Sequence, residues 1–476
     1  MSDMSNLFEA MTWIPGAALG GDGAVRFMRV VTDTRALAPG DLFVALKGER
    51  FDANDLLADA RAKGAVAAIC HVGASPDLSV EDLPRIVVRD TKVALGLLAA
   101  AWRARFDLPL IAVAGSNGKT TVTQMLASIL SAFKPQAMLA TQGNLNNDIG
   151  VPLTLLRLRA SHDVAVVEMG MNHPGEIAYL ATMTRPTVAL VNNAQREHLE
   201  FMSTIEAVAR ENGVVIQSLA STGVAVFPAD DVFTSFWRTL ANQRTQWTFA
   251  VQPLTGLTTG AEVSCQQPVW SSGAWQVTAL TPAGTLDYSL QVAGLHNVKN
   301  SLAAVACALA AGVPLEAIGR GLEAFRPVKG RSRALSLRTG AHTCTVVDDT
   351  YNANPDSVRA AIDVLAGLPG PHLLVLGDMG EVGDQGPEFH AEAGEYARLL
   401  GIEALFTLGN LSVSASRQFG SGQHFERVEE LNAAVLAEWP RSGSVLVKGS
   451  RFMKMERVIE AMVASAQPGK DALHVV

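Results

Sequence analysis

The stretch "IAVAGSNGKTT", Ile111–Thr121, decides the fold. An apolar run, a Gly-rich turn and a segment of helical periodicity, "KTTVTQMLASILSAF", predict strand, loop and helix in that order. Such a junction aims backbone N–H groups and the positive end of a helix dipole at an anion. Lys119 adds a point charge for nucleotide phosphates, and the Thr120 hydroxyl suits Mg²⁺. The usual spacing G-x-x-x-x-G-K-[ST] is not met, because Val113 holds the first glycine's place and Gly115 follows two residues later. A turn that merely contains Gly-Lys-Thr is the alternative. The flanking strand and helix favour a phosphate loop made of Gly115, Ser116, Asn117, Gly118, Lys119, Thr120 and Thr121.

Outward from the loop, strand and helix keep alternating. "DVAVVEMG" (163–170) predicts a strand with Glu168 at its end and a helix opening at Pro174. "TVALVNN" (187–193) predicts another strand, with His198 in the loop that follows. Alternation of this kind implies a parallel sheet covered by helices. Glu168 suits a metal-bound nucleotide, and a strand-end acid facing solvent is the plainer alternative. His198 stands equally for a structural or a functional imidazole. The Asn-rich loop "GNLNNDIGVP" (143–152) offers Asn144 and Asn147 to phosphate or sugar oxygens, although asparagine is also a common turn residue. "HNVKNSLAA" (296–304) sets His296, Lys299 and Asn300 within one turn, where capping explains one asparagine and base recognition suits the other. The Gly/Thr/Ser-rich section 254–293 reads as β-hairpins.

Two boundaries divide the chain, at "RFDLPL" (105–110) and "FRPVKGRSR" (325–333). They predict three domains over 1–107, 108–327 and 328–476. Beyond the second boundary, "CTVVDDTYNANP", "HLLVLGDMGEVGD", "ALFTLGN" and "SVLVKGSR" each end an apolar strand in polar residues. In open α/β sheets the ligand crevice lies at the carboxyl ends of the strands. Lys448 and Asp349 are not turn residues by preference, which favours a site there.

Composition narrows the class. The 476 residues carry a net charge of −8, which argues against a general nucleic-acid binder. Apolar residues make up 48% and charged residues 18%, enough for packed cores without a disorder signature. The richest apolar stretch, "SLAAVACALAAGV" (301–313), is too short to span a bilayer. No secretion signal is recognisable in "MSDMSNLFEA", so a cytoplasmic location is expected. Four well-separated cysteines read as reduced, mostly buried thiols.

In order, the motifs are "GSNGKTT", "GNLNNDIG", "VVEMG", "NNAQREHLE", "HNVKNSLAA", "GRSR", "DDTYNANPDS", "LGDMGEVG" and "LVKGSR". Together they closely resemble the Mur ligases, the ATP-dependent amide ligases of peptidoglycan precursor synthesis. The phosphate loop has that family's own form, G-[ST]-N-G-K-T-T. "DTRALAPGDLFVALKGERFDAND" (33–55), "DDTYNANP" (348–355) and "GDMGEVGDQGPEFH" (377–390) resemble the branch that joins D-alanyl-D-alanine to UDP-N-acetylmuramoyl-tripeptide.

The resemblance implies an α/β fold of three domains: a UDP-sugar-binding domain, a central P-loop-type ATP domain and a Rossmann-like domain for the incoming dipeptide. It implies ATP and Mg²⁺, a monomer, and catalysis through an acyl phosphate by Lys119, Glu168 and His198. Metal ligation falls to Thr120, Glu168 and His198. His296 and Asn300 resemble adenine contacts, and Arg331 and Asp349 resemble nucleotide contacts from the third domain. Thr34 and Arg35 fall on the UDP side. Asn144, Asn147, Tyr351, Asn352, Asn354 and Lys448 face substrate. Other Mur ligases and folylpolyglutamate synthetases remain alternatives, as does a P-loop switch. The D-N-P-R of diaminopimelate-adding relatives is missing, as is the N-K-x-D of GTPases. Many Mur ligases carry a carbamylated lysine after the His198 loop that helps hold a second Mg²⁺. Here that position aligns with Asn212, and no lysine occurs between Lys134 and Lys299. The expectation is a second Mg²⁺ site without a carbamate, held by Asn212 as a neutral oxygen ligand, by a carboxylate such as Glu211, or more weakly.

Overall fold

The computed structural model describes residues 3–48, 51–73, 82–252, 260–271, 273–339 and 342–466. The chain forms two compact units. The first comprises Met1–Ala112, Gln136–Met171 and Gly175–Thr187, and the second Val113–Pro135, Asn172–Pro174 and Val188–Val476. The strand Leu110–Ala114 begins in the first unit and ends in the second.

In the first unit a five-stranded sheet runs Ala18–Gly20, Arg85–Val88, Ala65–His71, Asp41–Val44, Arg29–Val31. Only the Ala18–Gly20 pairing is antiparallel. Phe43, Ala68 and Cys70 of the sheet bury against Leu57 and Ala60 of the helix Leu57–Ala62. Asp90 caps the helix Thr91–Arg103 through the N–H groups of Lys92 and Val93. That helix packs on Gly150–Leu155 and Glu176–Thr184. Its buried Arg103 donates to Thr184 O at 2.9 Å, which satisfies a carbonyl at the end of the neighbouring helix. The same unit pairs Met138–Ala140 with Val164–Glu168 in parallel.

In the second unit Val188–Val191, Val224–Pro228, Thr245–Gln252 and Val263–Gln266 run parallel in that order. Ala274–Thr281, Gly284–Leu290 and Val269–Ser271 then add antiparallel ribbons. The expected hairpins are therefore present, although 254–259 and 272 lie outside the described residues. The helix Lys119–Phe133 buries Val122, Met125, Leu126, Ile129 and Leu130, an i, i+3, i+4, i+7 stripe. It packs on Leu295–Ala310 and Leu315–Ala324. A Cβ at Gly321 would lie 2.3 Å from Ile129 Cα, so glycine sets that close approach. The apolar run 301–313 forms much of the buried helix Leu295–Ala310. Among the described residues no helix is long and apolar enough to cross a membrane. All four cysteines are free and buried.

The last module is a six-stranded sheet ordered Arg333–Thr339, His342–Asp349, Ser444–Lys448, His372–Gly377, Ala404–Leu408, Gln423–Phe425. All pairings are parallel except the first. The final strand of the chain thus inserts between two earlier ones, so the polar strand ends do not follow one another in chain order. This reversal is the topological switch at which open α/β sheets bind ligands.

Two local expectations fail. The helix predicted to open at Pro174 starts at Glu176, because Gly175 at φ +92° turns the chain first. Neither Asn297 nor Asn300 caps its helix. The cap position is Gly294, and both asparagines lie buried inside the helix.

Gly394 marks a second close approach. It lies in the helix Gly386–Leu399, and a Cβ there would stand 2.1 Å from Ala415 O of the helix Val413–Phe419. Alanine favours a helix interior by about 1 kcal/mol over glycine. Overpacking against backbone costs about 1–3 kcal/mol or more and outweighs that gain. Gly394→Ala should therefore lower the unfolding free energy by about 2 kcal/mol in a urea titration. A variant as stable as the parent would contradict the packing.

Candidate active site

Glycine geometry explains the unusual spacing of the phosphate loop. Val113 is a fully buried strand residue. The glycines are needed later, at Gly115 (φ +131°) and Gly118 (φ +82°). A Cβ at Gly115 would approach Asn192 N to 2.9 Å, and one at Gly118 would approach Asn300 Oδ1 to 2.5 Å. Asparagines form the seat. Asn212 Oδ1 accepts from Gly115 N at 2.9 Å, and Asn193 Oδ1 accepts from Asn117 N at 2.8 Å. Asn192 Nδ2 donates to Asn117 O at 2.8 Å and to Asn300 Oδ1 at 2.9 Å. Ser116 N donates to Asn193 O at 3.1 Å. The N–H groups of residues 115–117 thus face protein acceptors. The helix that follows begins at Lys119, and the positive end of its dipole is the part of the loop that suits an anion.

Lys119 Nζ donates to Gly115 O (2.6 Å), Ser116 O (2.9 Å) and Glu197 Oε1 (2.8 Å). Glu197 is only 8% exposed, and its Oε2 is buried without a hydrogen-bond partner. His198 follows in a left-handed conformation, φ +51°. Its Nε2 stands 3.4 Å from Glu197 Oε1 and its Nδ1 2.5 Å from Glu381 Oε2, the latter at ion-pair distance but outside hydrogen-bond alignment. Burial alone would lower the imidazole pKa, but the two carboxylates push it up to about 9. Both ring nitrogens therefore face carboxylates, and metal ligation by His198 requires one of them to turn away. Thr120 is buried in the first helical turn. Asn212, expected as a neutral oxygen ligand, has its oxygen on Gly115 N instead.

Within this unit the loop also meets the last module. Asn354 Nδ2 donates to Asn117 Oδ1 at 2.8 Å while Asn354 Oδ1 caps the helix Pro355–Ala366 in a capping box. Arg196 donates to Asp356 Oδ1 through Nε (3.0 Å) and Nη2 (2.7 Å), and to Glu392 Oε2 through Nη1 (2.7 Å). Its backbone N adds a 2.7 Å bond to Asp356 Oδ2. Lys448 Nζ reaches Asp349 Oδ2 at 2.5 Å and Asn352 O at 2.9 Å. Arg331 stacks 3.9 Å over the Tyr351 ring. His296 is exposed at the start of its helix, on the N-terminal side of buried Asn300.

In the first unit Glu168 ends its strand fully buried and accepts from Asn146 Nδ2 at 2.7 Å. Asn147 Oδ1 closes its own turn on Gly150 N at 2.9 Å, and Asn144 is exposed. Asn146 is thus the asparagine that positions Glu168. Thr34 and Arg35 lie in the 3₁₀ turn Thr34–Ala36, with Arg35 paired to Asp33 at 2.7 Å. Glu197, Arg196, Asp356, Glu392, Glu381, Asn192 and Asn193 were not among the residues expected from the sequence. "NNAQRE" carried the only local signal, a charge cluster just after a buried strand.

Three family models match the chain: "Mur ligase family, catalytic domain" over residues 27–103, "Mur ligase middle domain" over 113–308 and "Mur ligase, glutamate ligase domain" over 333–472. The chain is 41% identical over 435 residues to the "UDP-N-acetylmuramoyl-tripeptide--D-alanyl-D-alanine ligase" of Escherichia coli (strain K12), covering 91% of this chain and 93% of that one. It resembles MurF from Acinetobacter baumannii with a TM-score of 0.85 and 35% identity, covering 97% and 99% of the two chains. The MurF ligase of Thermotoga maritima, solved in complex with ADP, gives a TM-score of 0.79 at 25% identity, over 91% and 96%. The chain belongs to the Mur ligase family, and its α/β fold is that of these ligases.

The Asp349–Lys448 pair is almost wholly buried, with side chains 16% and 4% exposed. Burial opposes ionisation of Asp349, but the Lys448 ammonium holds its pKa below the usual carboxylate range. Breaking a buried pair by removing one partner costs about 3–5 kcal/mol. Lys448→Met should cost about that much at pH 7. A depressed carboxylate pKa contributes stability above its unfolded value, near 3.9, and loses it as pH falls through the folded value. The deficit of the variant should therefore shrink as pH falls from 7 towards about 4, where the orphaned carboxyl protonates. Denaturant titrations at the two pH values check this, and a deficit independent of pH would contradict it.

Proposed function

We propose that the chain joins D-alanyl-D-alanine to UDP-N-acetylmuramoyl-tripeptide, driven by ATP, giving the UDP-linked pentapeptide, ADP and phosphate for peptidoglycan synthesis. The observation that carries this reading is the Asn354–Asn117 contact at 2.8 Å. Through it the "DDTYNANP" turn, which resembles the family's dipeptide side, meets the phosphate loop within one unit. The end-to-end likeness to a relative named for this reaction supports the substrate pair. The T. maritima relative solved with ADP supports the nucleotide.

A carboxylate does not condense with an amine at neutral pH, because oxide is a poor leaving group. Transfer of the γ-phosphoryl group to a carboxylate oxygen gives an acyl phosphate and ADP. The amine of D-alanyl-D-alanine then attacks the carbonyl carbon, and the C–O bond to phosphate breaks as the amine proton is lost. Lys119 and the first-turn amides stabilise charge on the transferring phosphoryl group. Glycine at 115 and 118 lets the backbone lie close enough to do so.

Mg²⁺, when bound, neutralises charge on the phosphates. Among the described residues no group of three or more His, Cys, Asp or Glu side chains forms a cage. Nucleotide sites hold Mg²⁺ through one or two carboxylates together with phosphates and water. The Thr120 hydroxyl and the orphaned Glu197 Oε2 fit such a donor set. On the family likeness, Glu168 and His198 keep their roles towards the cation. His296, Asn300, Arg331 and Asp349 serve the nucleotide, and Thr34 and Arg35 serve the UDP end. Asn144, Asn147, Tyr351, Asn352 and Lys448 face the peptide substrates. The three-domain division at 1–107, 108–327 and 328–476 is supported by the spans of the three family matches. Dependence on ATP and a UDP-sugar substrate supports a cytoplasmic location.

ADP release measured with UDP-N-acetylmuramoyl-tripeptide should require D-alanyl-D-alanine and stay at background with D-alanine alone. Release needing neither peptide substrate would favour a switch-type NTPase instead. Lys119→Ala should keep the fold by circular dichroism and lose about 10³-fold or more in ligation rate. Near-parental ligation by that variant would overturn the role of the loop.

A further inference from the structure

Glu197 has no role in the reading above beyond fitting the donor set, yet its surroundings are unusual. Its Oε1 is shared between Lys119 Nζ at 2.8 Å and His198 Nε2 at 3.4 Å. Its Oε2 is buried and unpartnered. An ionised carboxylate offers about four acceptor positions, and leaving some unmet in the interior is costly. Proteins keep such groups mainly where a ligand or ion meets them. Lys119, for its part, already has three acceptors. An ammonium has three donors, so binding a phosphate oxygen means giving one up. The two backbone carbonyls belong to the loop itself and move with it. The bond to Glu197 is the one that can be exchanged.

We propose that Glu197 is a carboxylate ligand for the divalent cation that accompanies the nucleotide, exchanging Lys119 for that cation as the phosphates engage the lysine. The inference rests on the proposed function and deepens it by making Glu197 a ligand that is freed for the cation only when Lys119 engages phosphate. Charge balance favours the exchange. Lys119 pairs with phosphate, and the released carboxylate pairs with the metal rather than remaining buried alone. Neither Asn212 nor His198 offers this. Asn212 is neutral, with its oxygen on Gly115 N at 2.9 Å. His198 lies between Glu197 and Glu381.

The test is Mn²⁺ binding, read by electron paramagnetic resonance, to the full chain saturated with a non-hydrolysable ATP analogue. Glu197→Gln keeps the shape and one acceptor oxygen but removes the charge. It should weaken Mn²⁺ binding at least about tenfold, since loss even of outer partners of a metal site has effects of that order. Binding of the analogue without divalent cation should hold or tighten, because Lys119 is no longer neutralised. Mn²⁺ affinity equal to the parent's, with the analogue bound, overturns this inference alone. Failure of the parent to bind the analogue, or parental binding by Lys119→Ala, overturns the phosphate-loop reading and this inference with it. If Glu197→Gln does not fold, Glu197→Asp replaces it. Its shortened carboxylate should weaken Mn²⁺ at least threefold while cation-free analogue binding persists, and unchanged Mn²⁺ affinity overturns the inference.

Discussion

Two missing Cβ atoms govern the nucleotide side of this molecule. Gly115 and Gly118 both take positive φ, and each would drive a side chain into the asparagines beneath it. Because the backbone can lie flat on Asn192, Asn193, Asn212 and Asn300, the loop is held from below by amide hydrogen bonds. Its upper surface, the first turn of the helix Lys119–Phe133, is then presented in a fixed direction. Preorganised donors of this sort stabilise developing charge without reorganising during the reaction.

From that seat, charges alternate outward. Lys119 meets Glu197, Glu197 meets His198, and His198 meets Glu381 of the "GDMGEVGD" segment. Next to them Arg196 links Asp356 and Glu392 of the last module. His198 and Glu381 both hold positive φ without being glycine, a strain of order 1–3 kcal/mol each that surrounding contacts must outweigh. Strain of this kind gathers where side-chain direction matters more than local comfort. The segments that resemble the nucleotide and dipeptide sides are joined by these pairs and by Leu199, which packs against the apolar core of the last module. Charge changes during phosphoryl transfer therefore act directly on the contacts between them.

Much of this was legible in the sequence. The strand–loop–helix around Lys119, the strand ends at Glu168 and Asp349 and the parallel alternation follow from period and turn chemistry. The motif order pointed to the ligase family. Pairings that depend on strand order were not legible. Lys448 lies beside Asp349 only because the final strand inserts next to His342–Asp349, and no local pattern announces that insertion. One of Asn297 and Asn300 looked like a cap because asparagine prefers that position. Gly294 took the cap, and tertiary packing drew both amides inside, with Asn300 set on Asn192. Glu197 was hidden as one charged residue among several in "AQREHLE", distinguished only by burial and by the lysine it meets.

An acyl phosphate links nucleotide to peptide bond in this chemistry, and its formation leaves a mark in where the carboxylate oxygens end up. UDP-N-acetylmuramoyl-tripeptide carrying ¹⁸O in both oxygens of its reacting carboxylate would be ligated to completion and the inorganic phosphate analysed by mass spectrometry. Each phosphate should carry one ¹⁸O taken from the carboxylate, the other remaining in the new amide. Phosphate free of ¹⁸O despite full ligation would contradict it.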